Sequence, residues 1–439
     1  MECGSIPPPA SKLYTYMRIL LINGVFGYAS TGTIVRDIQV LCEQYGIECY
    51  VAFSETNLSV EQLHNSYKIG NFVEKKLHAL LCRINGRQAY FSHIATYRFI
   101  QYIEKIKPDI VHLHTIHGNY LNMPMLFDYL AKNSMRTVIT MHDCWYYTGG
   151  CFHYTQVGCL KWQQKCGNCP KKKVDTPAFF FDKSRQILSD RKRLFDSIQD
   201  LTVTGVSHWI CNESKKGIFY GKKILTIHNG VDTTIFRPIT VNDIEKTEAL
   251  LNVQSLLEGH FCIMGLAGKW LDRINREAFL YIINHLEDND RFLLFGCDDD
   301  KLRLLRTLNI DDDKVVTFGY TTNRKQLSLL YSFADVFINC TREESLSLIN
   351  IEAQACGTPI VTYSNTGAQE TVNNQCSYGV PTNDYVAMWQ MISIIRKKGK
   401  SYYSNDCIQW VKENFDMYTN YRKYIDLYTT ITATSNIKK

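Results

Sequence analysis

The chain has 439 residues, 45% of them apolar and 21% charged, with a formal net charge of +6. That length outgrows one ordinary core and predicts two domains of roughly 200 residues each. The composition is that of a soluble globular protein, and the small positive balance fits anionic small ligands or an anionic membrane surface while arguing for no nucleic-acid partner.

The first sixteen residues, MECGSIPPPASKLYTY, carry an acid at position 2 and three consecutive prolines. They lack the basic start and apolar core of a signal peptide, so residues 1–16 are expected to be a disordered extension. No apolar run approaches the ~18 residues of a membrane helix. With no export signal, the sixteen cysteines read as mostly reduced thiols of a cytosolic protein.

From Met17 onward, apolar runs alternate with amphipathic stretches. MRILLING (17–24) reads as a buried strand, and TIVRDIQVLCEQYG as a helix with Ile34, Ile38, Leu41 and Tyr45 on one face. IECYVAF, PDIVHLH, TVITMH, LTVTGVS and KILTIHNG continue as strands. A polar, turn-rich stretch, NGVDTTIFRPITVNDIEK, reads as the linker. Beyond it FCIMGLAG, RFLLFGC, KVVTFGY, ADVFINC and TPIVTY repeat the strand scheme, with helical patterns such as REAFLYIINHL and RKQLSLLYSFA between them. Strands separated by helices predict an α/β class with two doubly wound, Rossmann-like parallel sheets. The expected boundaries are 17–235 for the first domain, with a Cys-rich insertion at 144–173, and 236–415 for the second. A final helix, 416–439, carries Tyr418, Tyr421, Tyr424 and Tyr428 at helical spacing. Two such domains predict a ligand cleft at the carboxyl ends of their strands.

Within EESLSLINIEAQACGTPIV (343–361), LSLINIEAQAC reads as a helix ended by Gly357 and Pro359. Its first amides, near Ser347 and Leu348, suit a phosphate. Glu352, about one and a half turns in, suits a vicinal diol, and Glu344, ahead of the helix, suits a sugar. Spacing alone equally allows a buried helix with one capping and one surface Glu. GVFGYASTGTIV (24–35) is a Gly-bearing strand–helix turn without the G-x-G-x-x-G dinucleotide pattern. AGKWLDRINR (267–276) places Lys269 and Arg273 where they can grip a diphosphate or simply form a solvated basic turn. TMHDCW puts His142 at a strand end, as a hydrogen-bonder or a proton carrier. Cys151, Cys159, Cys166 and Cys169 resemble a structural zinc knob, or else a reduced Cys-rich loop, or disulfides in an oxidising compartment. KKK (171–173) and KSRQILSDRKRLF (183–195) are basic stretches that can meet anionic lipid head groups or remain solvated helix faces.

Taken together, EESLSLINIEAQACGTPIV, GYASTGTIVRDI, PDIVHLHTIHGNYLN, TMHDCWYYTGGC, CGNCP, IHNGVDTTIFRP and LLYSFADVFINCTREESLSL resemble the GT-B-fold, GT4-family retaining glycosyltransferases, in the branch that builds bacterial capsular and exopolysaccharide of the colanic-acid type. The resemblance spans nearly the whole chain from Met17. It implies that Glu352 holds the ribose of a nucleotide sugar and that Glu344 lies near the donor sugar hydroxyls. The segment Leu346, Ser347 and Leu348 would contact sugar and diphosphate, and Lys269 and Arg273 would grip the diphosphate. His142 would line the site beside the transferred sugar, and the loop near Gly27 and Gly32 would close over it.

Three departures stand out. Ile274-Asn275 replaces the family's Lys-Gly after Arg273, leaving Arg276 as a substitute cation. Leu346-Ser347 replaces Phe-Gly, where a serine is expected to constrain the backbone. Ala29 and Thr33 replace Gly and Arg. The expected enzyme uses a UDP- or GDP-linked donor and a saccharide or lipid-linked acceptor, retains configuration, and needs no metal for catalysis, since Asp298 and Asp300 of CDDDK read as a polar turn. It is placed in the cytoplasm, with peripheral contact to the inner membrane face. The rival readings are a non-catalytic sugar-binding or assembly protein and a nucleotide-sugar epimerase.

Overall fold

The computed structural model describes residues 17–436 apart from 176, 244–246 and 309; the extension expected at 1–16 lies outside them. The described residues form two units, one running to His228 and taking in the stretch from Tyr421, the other of residues 229–420.

In chain order the first unit contains β1 (Arg18–Phe26), α1 (Ala29–Gln44), β2 (Glu48–Thr56), β3 (Ser66–Lys68), α2 (Phe72–Asn85), α3 (His93–Ile106), β4 (Ile110–Leu113), α4 (Met123–Lys132), β5 (Arg136–Met141), α5 (Ser184–Ser197), β6 (Leu201–Gly205), α6 (His208–Ser214) and β7 (Ile224–Thr226). Its sheet is parallel in the order β3-β2-β1-β4-β5-β6-β7. β1 lies inside the sheet, paired with β2 on one side and β4 on the other. That is why Ile19 through Ile22 are all buried and read as an unbroken apolar run rather than an alternation.

The second unit contains α7 (Glu248–Leu257), β8 (Phe261–Leu266), α8 (Ala267–Trp270), α9 (Arg276–Asn284), β9 (Asp290–Cys297), α10 (Asp299–Arg306), β10 (Val315–Gly319), α11 (Arg324–Phe333), β11 (Val336–Asn339), α12 (Leu348–Ala355), β12 (Ile360–Tyr363), β13 (Tyr378–Val380), α13 (Tyr385–Lys398) and α14 (Ser401–Asn414). Its sheet is parallel in the order β10-β9-β8-β11-β12-β13. In each sheet the order reverses once, beside β1 and β4 in the first and beside β8 and β11 in the second. The carboxyl ends of strands at such reversals are where open α/β sheets bind ligands.

The long helix α15 (Met417–Asn436) begins in the second unit and ends in the first. Its start is tied to residues 229–233: the Val231 amide donates to Phe415 O at 2.9 Å and the Met417 amide to Val231 O at 3.0 Å. Gly230 is required there, because a Cβ would stand 2.6 Å from Met417 Cα. These ties explain why the units divide after His228 rather than at 235. Further along α15, Tyr421, Tyr424 and Tyr428 are buried while Tyr418 is exposed. The Tyr424 hydroxyl pairs with Thr140 Oγ1 at 3.1 Å and the Tyr428 hydroxyl with His112 Nδ1 at 2.6 Å, so the helix end packs on β4 and β5 of the first unit.

Candidate active site

In the second unit, two loops meet at the reversal of the sheet. The loop after β11 carries residues 340–347 into α12, and the loop after β8 carries α8 and residues 271–275. Arg342 Nη2 of the first loop donates to Ile274 O of the second at 3.2 Å, and Trp270 Nε1 of α8 donates to Ile338 O in β11 at 3.1 Å. Below, Asn339 Nδ2 donates to Ser347 Oγ at 3.1 Å and to Asn350 Oδ1 at 3.0 Å, and Asn350 Nδ2 donates to Thr371 Oγ1 at 3.0 Å. This buried amide chain holds the start of α12 against the end of β11.

Ser347 is the N-cap residue of α12, at φ −83° and ψ 96°, and its hydroxyl makes no capping bond. Those angles suit any residue, so a serine here carries none of the backbone constraint expected from the glycine replacement. The first amides of α12 therefore keep their positive character without an intrahelical acceptor. Leu346 is buried and Leu348 half-buried.

Glu344 lies just ahead of the helix. Its amide donates to Thr366 Oγ1 at 3.1 Å and its carbonyl accepts from the Gly367 amide at 2.9 Å. A Cβ on Gly367 would stand 1.7 Å from Ser345 O, so only glycine permits this closure. Glu344 Oε2 is buried and has no hydrogen-bond partner. Burial raises its pKa, while Ser347, the charge of Lys269, Thr341 and Asn339 pull it back down. The structure thus brings Lys269 and Glu344 into one field. Lys269 and Arg273 are both exposed, as is Ile274, and Arg276 opens α9 half-buried.

Glu352, on the second turn of α12, is half-buried. The Tyr331 hydroxyl donates to its Oε2 at 3.1 Å. Burial raises the Glu352 pKa to about 7 against the lowering pull of Tyr331 and the Arg324 charge. Sequence reasoning named Lys269, Glu344 and Glu352 but missed Tyr331, Arg342 and Asn339. Asn339 ends a strand and Tyr331 sits on the apolar face of a helix, where neither carries a motif. Arg342 was visible only as a charge beside the two glutamates. Asp298 caps α10 by accepting from the Lys301 amide at 2.9 Å and pairs with the Lys301 side chain, as a polar turn does.

In the first unit, His142 follows β5 and His114 follows β4. His114 Nδ1 and His142 Nε2 share a hydrogen bond of 2.9 Å, so one donates while the other accepts. Burial lowers the His142 pKa to about 4 and drives that of His114 far down, keeping both neutral at neutral pH. Beside them His117 Nε2 meets Asp143 Oδ2 at 2.9 Å, and Asp143 Oδ1 accepts from the Trp145 amide at 2.8 Å. His114 and His117 escaped the sequence reading because only the HD pair carries a motif. Gly27 has φ +81°, and a Cβ there would stand 2.5 Å from Leu58 Cγ. Gly32 is buried in α1, where a Cβ would meet Val25 at 3.1 Å. Its lack of a side chain therefore serves the packing of α1 on β1.

The four cysteines of the insertion line one small cavity together with Gly149, Lys161, Trp162, Gly167 and Ser184. All four are free thiols. Among the described residues no three of their sulfurs lie within 4.8 Å of one another. Cys166-Gly167-Asn168-Cys169 makes a tight turn with φ +137° at Gly167 and +48° at Asn168. A Cβ on Gly149 would stand 2.9 Å from Cys166 Sγ.

Comparison with known proteins agrees with this architecture. Residues 264–396 match the model of the family described as Glycosyl transferases group 1. Over 318 residues, 71% of this chain and 73% of the relative, the sequence is 21% identical to the putative colanic acid biosynthesis glycosyl transferase WcaC of Escherichia coli K12. The sucrose-phosphate synthase of Thermosynechococcus elongatus superposes with a TM-score of 0.68 at 16% identity, covering 95% of this chain and all of that one. The Anabaena protein HepE, solved in complex with UDP, superposes with a TM-score of 0.62 at 12% identity, covering 94% of this chain and all of that one. The fold is GT-B.

Proposed function

We propose that this chain, a glycosyltransferase whose residues 264–396 carry a Glycosyl transferases group 1 domain, moves a sugar from a UDP- or GDP-linked donor to a saccharide or lipid-linked saccharide during surface polysaccharide synthesis. The observation that carries the reading is the buried, unpartnered Oε2 of Glu344 beside Lys269 at the open start of α12. A carboxyl oxygen left without a partner costs free energy unless a ligand supplies a donor, and sugar hydroxyls supply one. Glu352 takes the ribose diol. The first amides of α12 and the cation of Lys269, with Arg273 and Arg342 at the same loops, stabilise the charge that develops on the diphosphate as its bond to the anomeric carbon breaks and the acceptor hydroxyl oxygen bonds there, its proton passing to the departing diphosphate. Protein cations fill that role without a divalent metal, and configuration is retained. Acceptor handling falls to the first unit, where the neutral His114–His142 pair can accept or donate a hydrogen bond to a hydroxyl.

The UDP named in the HepE complex and the polysaccharide named for WcaC support this donor and pathway class. The protein works in the cytoplasm, at the inner membrane face where lipid-linked acceptors reside. The four cysteines that already share a cavity are proposed to take one structural zinc ion by side-chain rotation toward it. Incubation with a panel of nucleotide sugars and assay of released UDP or GDP tests the activity. Absence of both turnover and nucleotide binding across the panel would reject it in favour of a non-catalytic sugar-binding protein, while isomerised donor without transfer would indicate an epimerase.

A further inference from the structure

Arg191, on α5, has its whole side chain removed from solvent. A guanidinium keeps its charge at neutral pH, so burying one calls for an opposite charge. Half of the group is accounted for. Nη1 donates to Trp145 O and, at 2.5 Å, to Thr148 O, and the guanidinium carbon stands 3.6 Å from the centroid of the Trp145 ring. Those acceptors are neutral carbonyls. Nε and Nη2 are buried and have no hydrogen-bond partner. Burial lowers the Arg191 pKa to about 10, and negative charge on Tyr90, Cys151, Cys166 or Asp143 would raise it again. Tyr90 is kept protonated by its own burial. Asp143 already serves His117 and the Trp145 amide. Cys151 and Cys166 remain, and as neutral thiols they bring no charge.

Two further donors at the same cysteines are unanswered. Trp162 and Ser184 line the cavity that the four thiols share, and both residues are buried. Neither Trp162 Nε1 nor Ser184 Oγ has a hydrogen-bond partner. Buried donors left empty cost free energy, and thiolate sulfurs would accept from them. On the outer side Lys161 also lines the cavity, its Nζ donating to Gly167 O and Asn168 O at 3.2 Å each. A divalent ion held by four thiolates carries two net negative charges. Arg191 supplies one compensating charge from within the fold and Lys161 a second from the solvent side. The empty donors are thus those that partners around a thiolate–metal centre would use to orient and stabilise its ligands.

We propose that Arg191 is the inner counter-charge of the four-cysteine metal centre and that its charge sets the affinity of that centre for zinc. This role rests on the zinc reading given above. The test is a two-by-two cycle of Arg191→Gln and Cys151→His in the full chain, with zinc dissociation constants measured by competition against a chromophoric chelator. Cys151→His exchanges one thiolate for a neutral imidazole, a ligand set that zinc also accepts, and so removes one negative charge. In the otherwise native chain Arg191→Gln should weaken zinc binding tenfold or more. In the Cys151→His chain the same change should cost less than threefold, because less negative charge needs compensation. Arg191→Lys keeps the charge while losing the planar fork, and its loss should stay under threefold. An arginine that only packs α5 against Trp145 and Thr148 would give equal losses in both backgrounds, which would overturn the proposal. So would a tenfold loss in Arg191→Lys, a reading that stands even where Arg191→Gln does not fold. Native protein that takes up no zinc would sink the metal centre and the counter-charge together. Native protein that binds zinc, with Arg191→Gln binding equally well, would sink the counter-charge alone.

Discussion

The Tyr331 hydroxyl donates to Glu352 Oε2 across 3.1 Å, from α11 to the second turn of α12. Burial still lifts the Glu352 pKa from its usual 4.5 to about 7. Between those two values the unfolded chain has lost this proton while the folded chain keeps it. The group's contribution to stability therefore falls as pH rises from about 4.5 to 7 and stays low above it, by up to about 3 kcal/mol. Glu352→Gln, neutral throughout, should gain stability relative to wild type at pH 8 but not at pH 4.5, as read by thermal unfolding. A ribose diol prefers the carboxylate, so affinity for a nucleotide sugar should rise through the same window in wild type and stay flat in the variant. Equal pH dependence in both would remove Glu352 from the donor site.

Glu344 should behave differently. Its unpartnered Oε2 awaits a donor group, and its carboxylate stands near Lys269. Glu344→Gln keeps the size but removes the charge. Turnover is expected to fall by 10²-fold or more, as when a single charge-stabilising contact is lost from an active site. UDP binding, which lacks the sugar, should change by less than threefold. Isothermal titration with UDP beside steady-state kinetics separates the two. A variant with wild-type turnover would remove Glu344 from the sugar subsite.

Much of this was legible because the central strands are buried on both faces and therefore spell unbroken apolar runs, as Ile19–Ile22 and Ile263–Met264 do. The spacing of Glu344 and Glu352 was legible because a helix must begin between them. The three-residue strands β3 and β13 were not, since they lie toward the edges of their sheets with no apolar run. Nor were Tyr331, Asn339 and His114. Their importance comes from partners far away in sequence, and no local pattern encodes a contact such as His114 to His142.

Gly367 is a glycine whose role shows only in the folded chain. With its Cβ position 1.7 Å from Ser345 O, Gly367→Ala cannot be absorbed by rotating a side chain, because the obstacle is backbone. The 340–347 loop must move away from residues 366–371, breaking the bonds of Glu344 to Thr366 and Gly367. We expect a loss of roughly 2–4 kcal/mol, with nucleotide-sugar affinity lowered further than stability alone accounts for. Chemical denaturation and donor titration at saturating folding conditions measure the two effects.

Tyr428→Phe tests the packing of α15 on the first unit. The Tyr428 hydroxyl is bonded to His112 Nδ1 at 2.6 Å, while His112 Nε2 meets Thr140 Oγ1 at 2.7 Å and Thr140 Oγ1 meets Thr204 Oγ1 at 2.7 Å. Burial holds His112 neutral, its pKa lowered to about 3. Removing the tyrosine hydroxyl leaves a buried ring nitrogen unpaired, at a cost of about 1–3 kcal/mol. The melting temperature should drop by several degrees, while nucleotide affinity, proposed to lie in the other unit, should hold. A drop in nucleotide affinity equal to that in stability would show that the two effects are not separable.

The cysteine cavity makes the last prediction. Cys151, Cys159, Cys166 and Cys169 surround one small space, and the left-handed turn at Gly167 and Asn168 presents the last two thiols from a tight loop. If the cavity takes zinc, metal analysis of protein purified without chelator should give close to one equivalent. Binding would draw the sulfurs from their present separation to ~2.3 Å from the ion and release protons as the thiols ionise. Chelation should then lower the melting temperature, and readdition of zinc should restore it. Cys166→Ser should abolish both the metal and the response to chelator, while leaving nucleotide binding, proposed for the second unit, intact. Zinc well below one equivalent, with a melting temperature indifferent to chelator, would make the four residues a reduced loop stabilised by packing against Trp162 alone.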